Sequence, residues 1–144
     1  MKRGHSYSGL FVSFDGPDGG GKTTQIEQLY TYLSGKYEVL RNREPGGTLL
    51  GEKIRALLLT DGSVQNDKRA EMFLFEAARA QIAHDIAIPV LESGRVLLFD
   101  RFFDSTIAYQ GYGSGLDLDF IKKANLFASY NISPDITFMI DVPE

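Results

Sequence analysis

The feature that most constrains this chain is an octapeptide near its N-terminus. Residues 16–23 read GPDGGGKT and fit the pattern G-x-x-x-x-G-K-[ST], between an apolar run at residues 10–14 and a segment with helical spacing of apolar side chains. Glycines in such a loop let successive backbone N–H groups point at phosphates, Lys22 offers a charge to the β- and γ-phosphate oxygens, and the Thr23 hydroxyl can bind Mg²⁺. This phosphate loop, set between a strand and a helix, predicts a nucleotide site rather than a chance match in a chain with 15 glycines.

Composition narrows the class of protein further. The 144 residues are 43% hydrophobic, which suits one folded domain, so we predict a single domain over residues 1–144. A net charge of −4 argues against a nucleic-acid partner, and the apolar runs are too short for a membrane partner. The absence of cysteine excludes disulfides and thiolate sites and fits a reducing compartment, so a cytoplasmic protein is expected.

Strand and helix patterns alternate along the whole chain. They predict strands at residues 10–15, 37–40, 95–99 and 136–140, and helices at residues 23–33, 51–59, 67–91 and 118–130, with another starting near residue 105. The helix at residues 67–91 is apolar nearly all round and is expected to be buried. The order predicts an α/β fold, a doubly wound parallel sheet with helices on both faces, as in phosphate-loop NTP hydrolases.

Charged residues follow three of the predicted strands. Ligands of open α/β sheets bind beyond the carboxyl ends of the strands, where these side chains meet. Asp18 lies in the loop after the first strand, Glu44 follows the second, and Asp100 and Arg101 follow the third. A carboxylate after four apolar residues suits Mg²⁺, and a guanidinium suits phosphate, although a solvated Asp and a surface ion pair would explain the same residues.

One predicted helix carries an aromatic and a cationic side chain on the same face. Phe75 and Arg79 are four residues apart, so together they offer a flat ring beside a hydrogen-bonding fork that could hold a nucleobase. A core phenylalanine and an ion-paired arginine are the structural alternative, and Arg55 on the preceding helix could equally be a solvated charge. Hydroxyls and an amide follow shortly after Arg101, from Ser105, Thr106, Tyr109 and Gln110.

Four motifs in this order resemble those of bacterial thymidylate kinases, a family of phosphate-loop nucleoside monophosphate kinases. They are FDGPDGGGKTT at residues 14–24, REPGGT at residues 43–48, FEAAR at residues 75–79, and DR at residues 100–101 leading to AYQG at residues 108–111. The resemblance spans nearly all of the chain. It implies transfer of the γ-phosphate of ATP to dTMP in dTTP biosynthesis, giving dTDP and ADP, with Mg²⁺ as cofactor and a homodimer as the assembly.

The resemblance also implies roles for the residues around the phosphate loop. Asp18, Lys22 and Arg101 would be catalytic, with Asp18 at the 3′-hydroxyl of the acceptor sugar. Thr23, Glu44 and Asp100 would serve the metal and its waters. ATP would be bound by Gly16, Pro17, Asp18, Gly19, Gly20, Gly21, Lys22, Thr23 and Thr24.

A second set of residues is implied for dTMP. Phe75 would stack on thymine, Arg79 and Thr106 would bind its polar edge, and Tyr109 would pack against the deoxyribose. Arg55 and Arg101 would hold the phosphate. The whole implied set is Asp18, Glu44, Pro45, Arg55, Phe75, Arg79, Arg101, Ser105, Thr106, Tyr109 and Gln110.

Two features depart from the family pattern. Phe102 stands where the family usually has Tyr or His after Asp-Arg. The sequence stops at residue 144, where the family continues into a helix and a mobile, arginine-bearing lid over ATP, and Gly19 supplies no basic residue in the phosphate loop instead. We therefore expect a chain without the lid and the C-terminal helices, and a fold incomplete beside the last strand, with that face of the sheet left bare.

Other functions stay open at this point. Another nucleoside monophosphate kinase would share the same core, and a chain without a lid could bind nucleotide with little turnover. A nucleotide-switched binding module, such as a small GTPase or a partition ATPase, belongs to a different class, but the sequence has no Asn-Lys-x-Asp guanine motif. Competition between dTMP, dUMP and dCMP would separate the kinases from one another.

Overall fold

Strands and helices alternate through the two stretches that the computed structural model describes, residues 4–59 and 67–142. Two π-helical segments interrupt or extend the α-helices, at Ala83–Ala87 and Ile107–Gly113. In chain order the other elements are β1 (Leu10–Asp15), α1 (Lys22–Ser34), β2 (Val39–Arg43), α2 (Leu49–Leu58), α3 (Lys68–Ile82), α4 (Ile88–Glu92), β3 (Val96–Asp100), α5 (Phe103–Thr106), α6 (Leu118–Ala128) and β4 (Ile136–Met139).

The strands form one parallel sheet in the order β2-β3-β1-β4. In β1, Phe14 lies opposite Asp100 of β3 and Phe138 of β4, and Arg43 of β2 also lies opposite Asp100. The carboxyl ends of β1, β2 and β3 therefore meet at one edge, and the loops that follow them share one cleft. The predicted doubly wound parallel α/β fold is confirmed. Among the helices of the described residues, none has both the length and the apolar character needed to cross a membrane.

The side chains of alternate strand residues lie in two hydrophobic cores on opposite faces of the sheet. Phe11 and Leu97 are fully buried in one core, together with residues of α3 and α4. Val12 and Leu98 belong to the other core, which α1 covers. This period of two explains why β1 and β3 read as continuous apolar runs, since both of their faces are covered. Phe102 packs in the first core, with its ring centroid 5.0 Å from that of Phe11.

The helix predicted at residues 67–91 is built differently from the expectation. Asp67 caps it as predicted, because its side chain accepts hydrogen bonds from the backbone N–H groups of Arg69 and Ala70. The prediction that this helix is buried is confirmed for one side only, since Met72 lies in the interior whereas Phe73 is 56% exposed. A helix that packs on the outside of a sheet buries only the side that faces the sheet, even where its other side carries apolar residues. The helical path also passes through the π-helical segment Ala83–Ala87 before it ends in α4.

The structure corrects the predicted bounds of β2 and shows how exposed β4 is. β2 begins two residues later than expected, because the backbone N–H groups of Lys36 and Tyr37 both donate to Leu33 O and still close α1. Its pairing with β3 continues to Arg43, so the strand leads directly into the cleft. In β4, Phe138 and Met139 are 45% and 64% exposed, and because successive side chains point to opposite faces, the end of this strand is exposed on both faces among the described residues.

Candidate active site

The phosphate loop owes its shape to three glycines in the left-handed region of the backbone map. Gly16, Gly19 and Gly21 have φ values of 143°, 73° and 91°. A Cβ atom on Gly16 would lie 2.4 Å from Ile140 O, so this glycine also lets the loop pack closely on the end of β4. A Cβ on Gly19 or Gly21 would meet nothing within 4 Å. These two positions therefore need glycine for its backbone conformation, and the loop stays open to a ligand.

Lys22 is the first residue of α1 and lies against the loop that precedes it. Its ammonium group donates hydrogen bonds to Gly16 O at 3.0 Å and to Pro17 O at 2.7 Å. The side chain is nearly buried, and its charge lies against these two loop carbonyls, beside the N-terminus of α1. A positive charge therefore lies beside a helix N-terminus and a glycine-rich loop, which is an arrangement that suits phosphate.

The predicted metal residues Thr23 and Asp100 lie side by side. Thr23 Oγ1 is 3.4 Å from Asp100 Oδ2, and the backbone N–H of Glu44 donates to Asp100 O at 3.0 Å. The described residues contain no group of three or more His, Asp or Glu side chains arranged as a metal cage. Mg²⁺ usually takes one or two protein ligands and completes its shell with water and phosphate oxygens, so a hydroxyl beside a carboxylate fits this ion.

Arg101 is held from several sides at the end of β3. Its backbone has a φ of 68°, unusual for a non-glycine residue, and its N–H donates to Phe14 O at 2.8 Å. The guanidinium donates to Ser105 Oγ at 2.9 Å and to Asp18 Oδ1 at 2.7 Å. The hydrogen bond and the charge of Arg101 hold the pKa of Asp18 below its usual range. An arginine fixed at a strained position between two loops is typical of a functional site.

Asp15, the last residue of β1, was not among the predicted site residues. It is buried, and its Oδ1 accepts a 2.5 Å hydrogen bond from Ser105 Oγ, which in turn accepts from Arg101. Burial raises the pKa of Asp15, and the Ser105 hydrogen bond opposes that rise. A chain of contacts thus runs from Asp15 through Ser105 and Arg101 to Asp18. A carboxylate closing an apolar strand directly before the phosphate loop was the available signal.

Arg79 lies at the centre of a buried polar cluster beside the cleft. Its five N–H groups make five hydrogen bonds: two to Glu44 Oε2 at 2.7 and 2.9 Å, and one each to Glu76 Oε1 at 3.0 Å, Asn125 Oδ1 at 2.8 Å and Thr106 Oγ1 at 3.0 Å. The side chain is only 2% exposed. Of these partners, Glu76 and Asn125 were not predicted. Arg79 is therefore ion-paired, as the structural alternative predicted. The same side chain also lines the cleft.

The carboxyl groups around Arg79 compete for one positive charge. Burial raises the pKa of Glu44 to about 7, even though Arg79 lowers it, and the neighbouring Glu76 and Asp15 carboxyls raise it further. Burial also raises the pKa of Glu76. Among the described residues, Glu44 Oε1 and Glu76 Oε2 have no hydrogen-bond partner. One guanidinium cannot stabilise two buried carboxylates fully, so a proton is retained in this cluster towards neutral pH.

Two adjoining cavities open along the carboxyl edge of the sheet. The smaller, about 470 Å³, contains Lys22, Thr23, Thr24 and Asp100, and the larger, about 640 Å³, contains Phe75 and Arg79. Four residues line both: Asp18, Glu44, Arg55 and Arg101. The larger cavity is lined by all eleven residues predicted for the second ligand, namely Asp18, Glu44, Pro45, Arg55, Phe75, Arg79, Arg101, Ser105, Thr106, Tyr109 and Gln110.

The remaining predicted residues are positioned by nearby backbone and side chains. Arg55 on α2 donates to Pro45 O at 2.8 Å, and burial lowers its pKa. Tyr109 is half exposed, with the Arg101 guanidinium carbon 5.5 Å from its ring centroid. Gln110 is buried and donates from Nε2 to Glu71 Oε1 at 2.8 Å. Glu71 lines the larger cavity and was also missed.

The phosphate loop lies beside a second cavity that has an aromatic wall, and arginines line the junction of the two. These features define the class of phosphate-loop proteins. Residues 14–144 match the family model described as thymidylate kinase. The chain belongs to the thymidylate kinase family.

Similarity to individual relatives supports this assignment to the family. The thymidylate kinase of Exiguobacterium sp. (strain ATCC BAA-1283 / AT1b) is 45% identical over 136 residues, which are 94% of this chain and 64% of the relative. That of Thermosipho melanesiensis is 48% identical over 135 residues, 93% of this chain and 66% of the relative. The crystal structure of thymidylate kinase from Ehrlichia chaffeensis matches with a TM-score of 0.88 at 44% identity, over 94% of this chain and 77% of that one. The chain thus spans 64% to 66% of the length of these two curated relatives.

Proposed function

We propose that this chain carries the two-substrate site of a thymidylate kinase, which transfers the γ-phosphate of ATP to dTMP and gives dTDP and ADP for dTTP synthesis. The observation that carries the proposal is the junction of the two cavities at Asp18, Glu44, Arg55 and Arg101. A triphosphate in the phosphate loop and a monophosphate in the larger cavity would bring their phosphate groups together at this junction. Phosphoryl transfer requires that alignment.

The donor half of the site would be the phosphate loop, residues 16–23, together with Thr24. Backbone N–H groups of the loop would bind the ATP phosphates, and Lys22 would exchange its two carbonyl partners for phosphate oxygens. Thr23 and Asp100 would hold Mg²⁺, with Glu44 acting through bound water. When bound, Mg²⁺ neutralises phosphate charge and orients the β- and γ-phosphates.

The acceptor half would be the larger cavity. Phe75 would stack on thymine while Thr106, whose hydroxyl accepts from Arg79, keeps its own proton to donate to a base carbonyl. All five N–H groups of Arg79 are engaged, so its contact with the base requires that one of these bonds be shared. Other contacts would come from Tyr109 to the deoxyribose and Asp18 to the 3′-hydroxyl, with Pro45, Ser105 and Gln110 completing the wall.

For phosphoryl transfer, this chain would have to align the two substrates and neutralise the charge of their phosphates. A phosphate oxygen of dTMP forms a bond to the γ-phosphorus as the bond from that phosphorus to the β,γ-bridging oxygen breaks, and ADP leaves. Lys22 would stabilise charge on the donor phosphates, and Arg55 and Arg101 would hold the acceptor phosphate. Arg101 is fixed for this role by Asp18 and by Ser105, so little reorganisation is needed when the ligands bind.

A coupled ADP-release assay with ATP, Mg²⁺ and dTMP tests the proposed reaction. We expect dTMP-dependent ADP release that exceeds the release with dUMP or dCMP, and Lys22→Ala should abolish most of it while leaving the fold intact. Binding of dTMP and ATP by calorimetry separates recognition from turnover. Faster phosphorylation of dUMP or dCMP would reject dTMP as the substrate, and tight binding of both ligands without ADP release would support the alternative of nucleotide binding with little turnover.

We also propose a cytoplasmic homodimer. The absence of cysteine supports the location. The exposed aromatic side chains of α3 and α6 support the assembly: Phe73 and Phe120 are in edge-to-face contact at 6.2 Å, and Phe127 is 88% exposed. An apolar surface of this kind on two packed helices is suited to a second copy of the chain, which would cover the rings of both subunits.

Sedimentation of the wild type and of Phe127→Asp tests the dimer. We expect a dimer for the wild type and a monomer for the variant, because a charge in the centre of an apolar contact would remain unpaired. Tyr37→Asp is the matched control, since Tyr37 is also an exposed aromatic residue but follows α1, away from this surface. A monomeric wild type, or an equally dimeric Phe127→Asp variant, would contradict the proposed assembly.

A further inference from the structure

Glu71 lines the larger cavity but has no role in the site described so far. Its Oε1 accepts a hydrogen bond from Gln110 Nε2 at 2.8 Å. Gln110 is buried and Glu71 is half-buried, and Phe75 lies one turn further along α3 from Glu71. The partners are 39 positions apart in the sequence, so the contact ties the first turn of α3 to the π-helical segment Ile107–Gly113 across the wall of the cavity.

This hydrogen bond determines which way round the Gln110 amide lies. An ionised carboxylate can only accept hydrogen bonds, whereas a glutamine amide has a donor end and an acceptor end. The amide turns its NH₂ group towards Glu71, because the reverse orientation would set two acceptors against each other. Gln110 Oε1 then faces away from Glu71 and is the atom left to accept a hydrogen bond from a ligand.

The neighbouring wall of the cavity supplies a donor. Arg79 Nη2 donates to Thr106 Oγ1 at 3.0 Å, so the Thr106 hydroxyl keeps its own proton for a ligand. An acceptor beside a donor complements the edge of an imide pyrimidine such as thymine, in which N3–H donates and a flanking carbonyl accepts. In a 4-aminopyrimidine such as cytosine, N3 is an acceptor, so it would meet the Gln110 Oε1 acceptor and be mismatched there.

We propose that Glu71 is a positioning residue that makes the larger cavity selective for imide pyrimidine nucleotides over 4-aminopyrimidine nucleotides. It acts through Gln110, by holding the amide oxygen towards N3–H of the base. This inference rests on the proposed function, since it takes a pyrimidine monophosphate to be the ligand stacked on Phe75. A buried acceptor that meets another acceptor is left without a hydrogen bond, and this is the source of the discrimination.

The test compares binding of dTMP and 5-methyl-dCMP by calorimetry in the absence of ATP. The two nucleotides share the methyl group, sugar and phosphate and differ only at N3 and C4. Glu71→Gln keeps the shape of the side chain but can both donate and accept, so the Gln110 amide is free to turn round. We expect the wild type to prefer dTMP, and the ratio of the two Kd values to fall about tenfold in Glu71→Gln, mainly because 5-methyl-dCMP binds more tightly.

A role confined to the stability of α3 would weaken both nucleotides equally, and an unchanged ratio in Glu71→Gln would overturn the proposal. Glu71→Ala also removes the acceptor and should give the same fall in the ratio, which covers a failure of Glu71→Gln to fold. In a Gln110→Leu background, Glu71→Gln should leave the ratio unchanged, because no amide remains to be oriented. A tenfold change in that background would equally overturn the proposal.

The same measurements distinguish this inference from the proposed function. A wild type that binds 5-methyl-dCMP as tightly as dTMP would reject both the role of Glu71 and dTMP as the preferred ligand. A wild type that prefers dTMP, with the same ratio in Glu71→Gln, would reject the role of Glu71 alone.

Discussion

Phe75 gives the larger cavity a flat apolar wall. It lies one turn before Arg79 on α3, so the ring and the buried polar cluster border the same space. A stacked base gains contact energy from the ring whatever its own polar edge carries, while the polar groups decide which base is accepted. In the proposed site, affinity and selectivity would therefore depend on different residues of this wall.

Replacement of Phe75 by alanine should weaken dTMP binding by roughly 1–3 kcal/mol through loss of the base stack. ATP binding should change little, because Phe75 does not line the smaller cavity. Calorimetry with each ligand separately measures both effects. Phe73→Ala is the matched control, since Phe73 is on the same helix but on its exposed side, and a comparable loss of ATP and dTMP affinity in Phe75→Ala would contradict the stacking role.

Residues that meet at the strand ends could be predicted, whereas their supporting partners could not. The phosphate loop, Asp100 and Arg101 follow apolar strands, so the topology of a parallel sheet alone brings them together. Glu71 and Asn125 contact Gln110 and Arg79 across 39 and 46 positions, respectively. Such contacts depend on how α3 and α6 pack, and no local pattern in the sequence encodes that packing.

The loop between β2 and α2 delivers Glu44 and Pro45 to the cleft and depends on a glycine at its centre. Gly47 has a φ of 78°, and its N–H donates to Glu52 Oε1 at 2.8 Å. A Cβ atom there would lie 2.3 Å from Asn42 Oδ1 and 2.6 Å from Ile82 Cδ1. Both the backbone conformation and the space around it therefore require glycine.

Gly47→Ala should destabilise the protein by about 2 kcal/mol or more, since it combines a strained φ with steric overlap. Gly35→Ala is the control: Gly35 has a φ of −72° and a Cβ there would meet nothing within 4 Å, so this change should be neutral or slightly stabilising. Urea unfolding of the two variants measures the difference. Equal stability of the two variants would show that the loop relaxes around the added methyl group.

The bounds of strands and helices were predicted best where the pattern of apolar residues follows burial closely. β1 was predicted with its observed bounds because an apolar run ends in Asp15 at the phosphate loop. The one-sided burial of α3 was missed because Phe73 is apolar yet exposed. A pattern of hydrophobic residues predicts a helix but cannot distinguish a core side from a side covered by another chain, which is the role proposed for this surface.

At the scale of the whole molecule, buried acids make stability depend on pH. Glu44 and Glu76 are buried against Arg79, Asp15 is buried near Glu44, and burial raises the pKa of each. An acid whose pKa is higher in the folded state binds its proton more tightly when folded. Its stabilising contribution is therefore complete below the unfolded pKa and is lost as pH rises through the folded pKa. Exposed acids with a lowered pKa, such as Asp18 and Glu52, are ionised in both the folded and the unfolded state above about pH 5. They therefore change the pH dependence of stability only at lower pH.

The free energy of unfolding should therefore fall as pH rises from about 5 to 7.5, and Glu44→Gln should remove much of that fall. A shift of the Glu44 pKa from 4.5 to about 7 corresponds to about 3 kcal/mol in total, most of which is lost within this pH range. Urea unfolding at several pH values, with EDTA present, measures both curves, and Glu52→Gln is the control because Glu52 is exposed and has a lowered pKa. Because the amide introduced by Glu44→Gln would still accept a hydrogen bond from Arg79, the variant can differ in absolute stability, but the slope with pH isolates the buried proton. Parallel curves for the wild type and Glu44→Gln would mean that Arg79 keeps Glu44 ionised throughout and that the other carboxyls around it carry the proton.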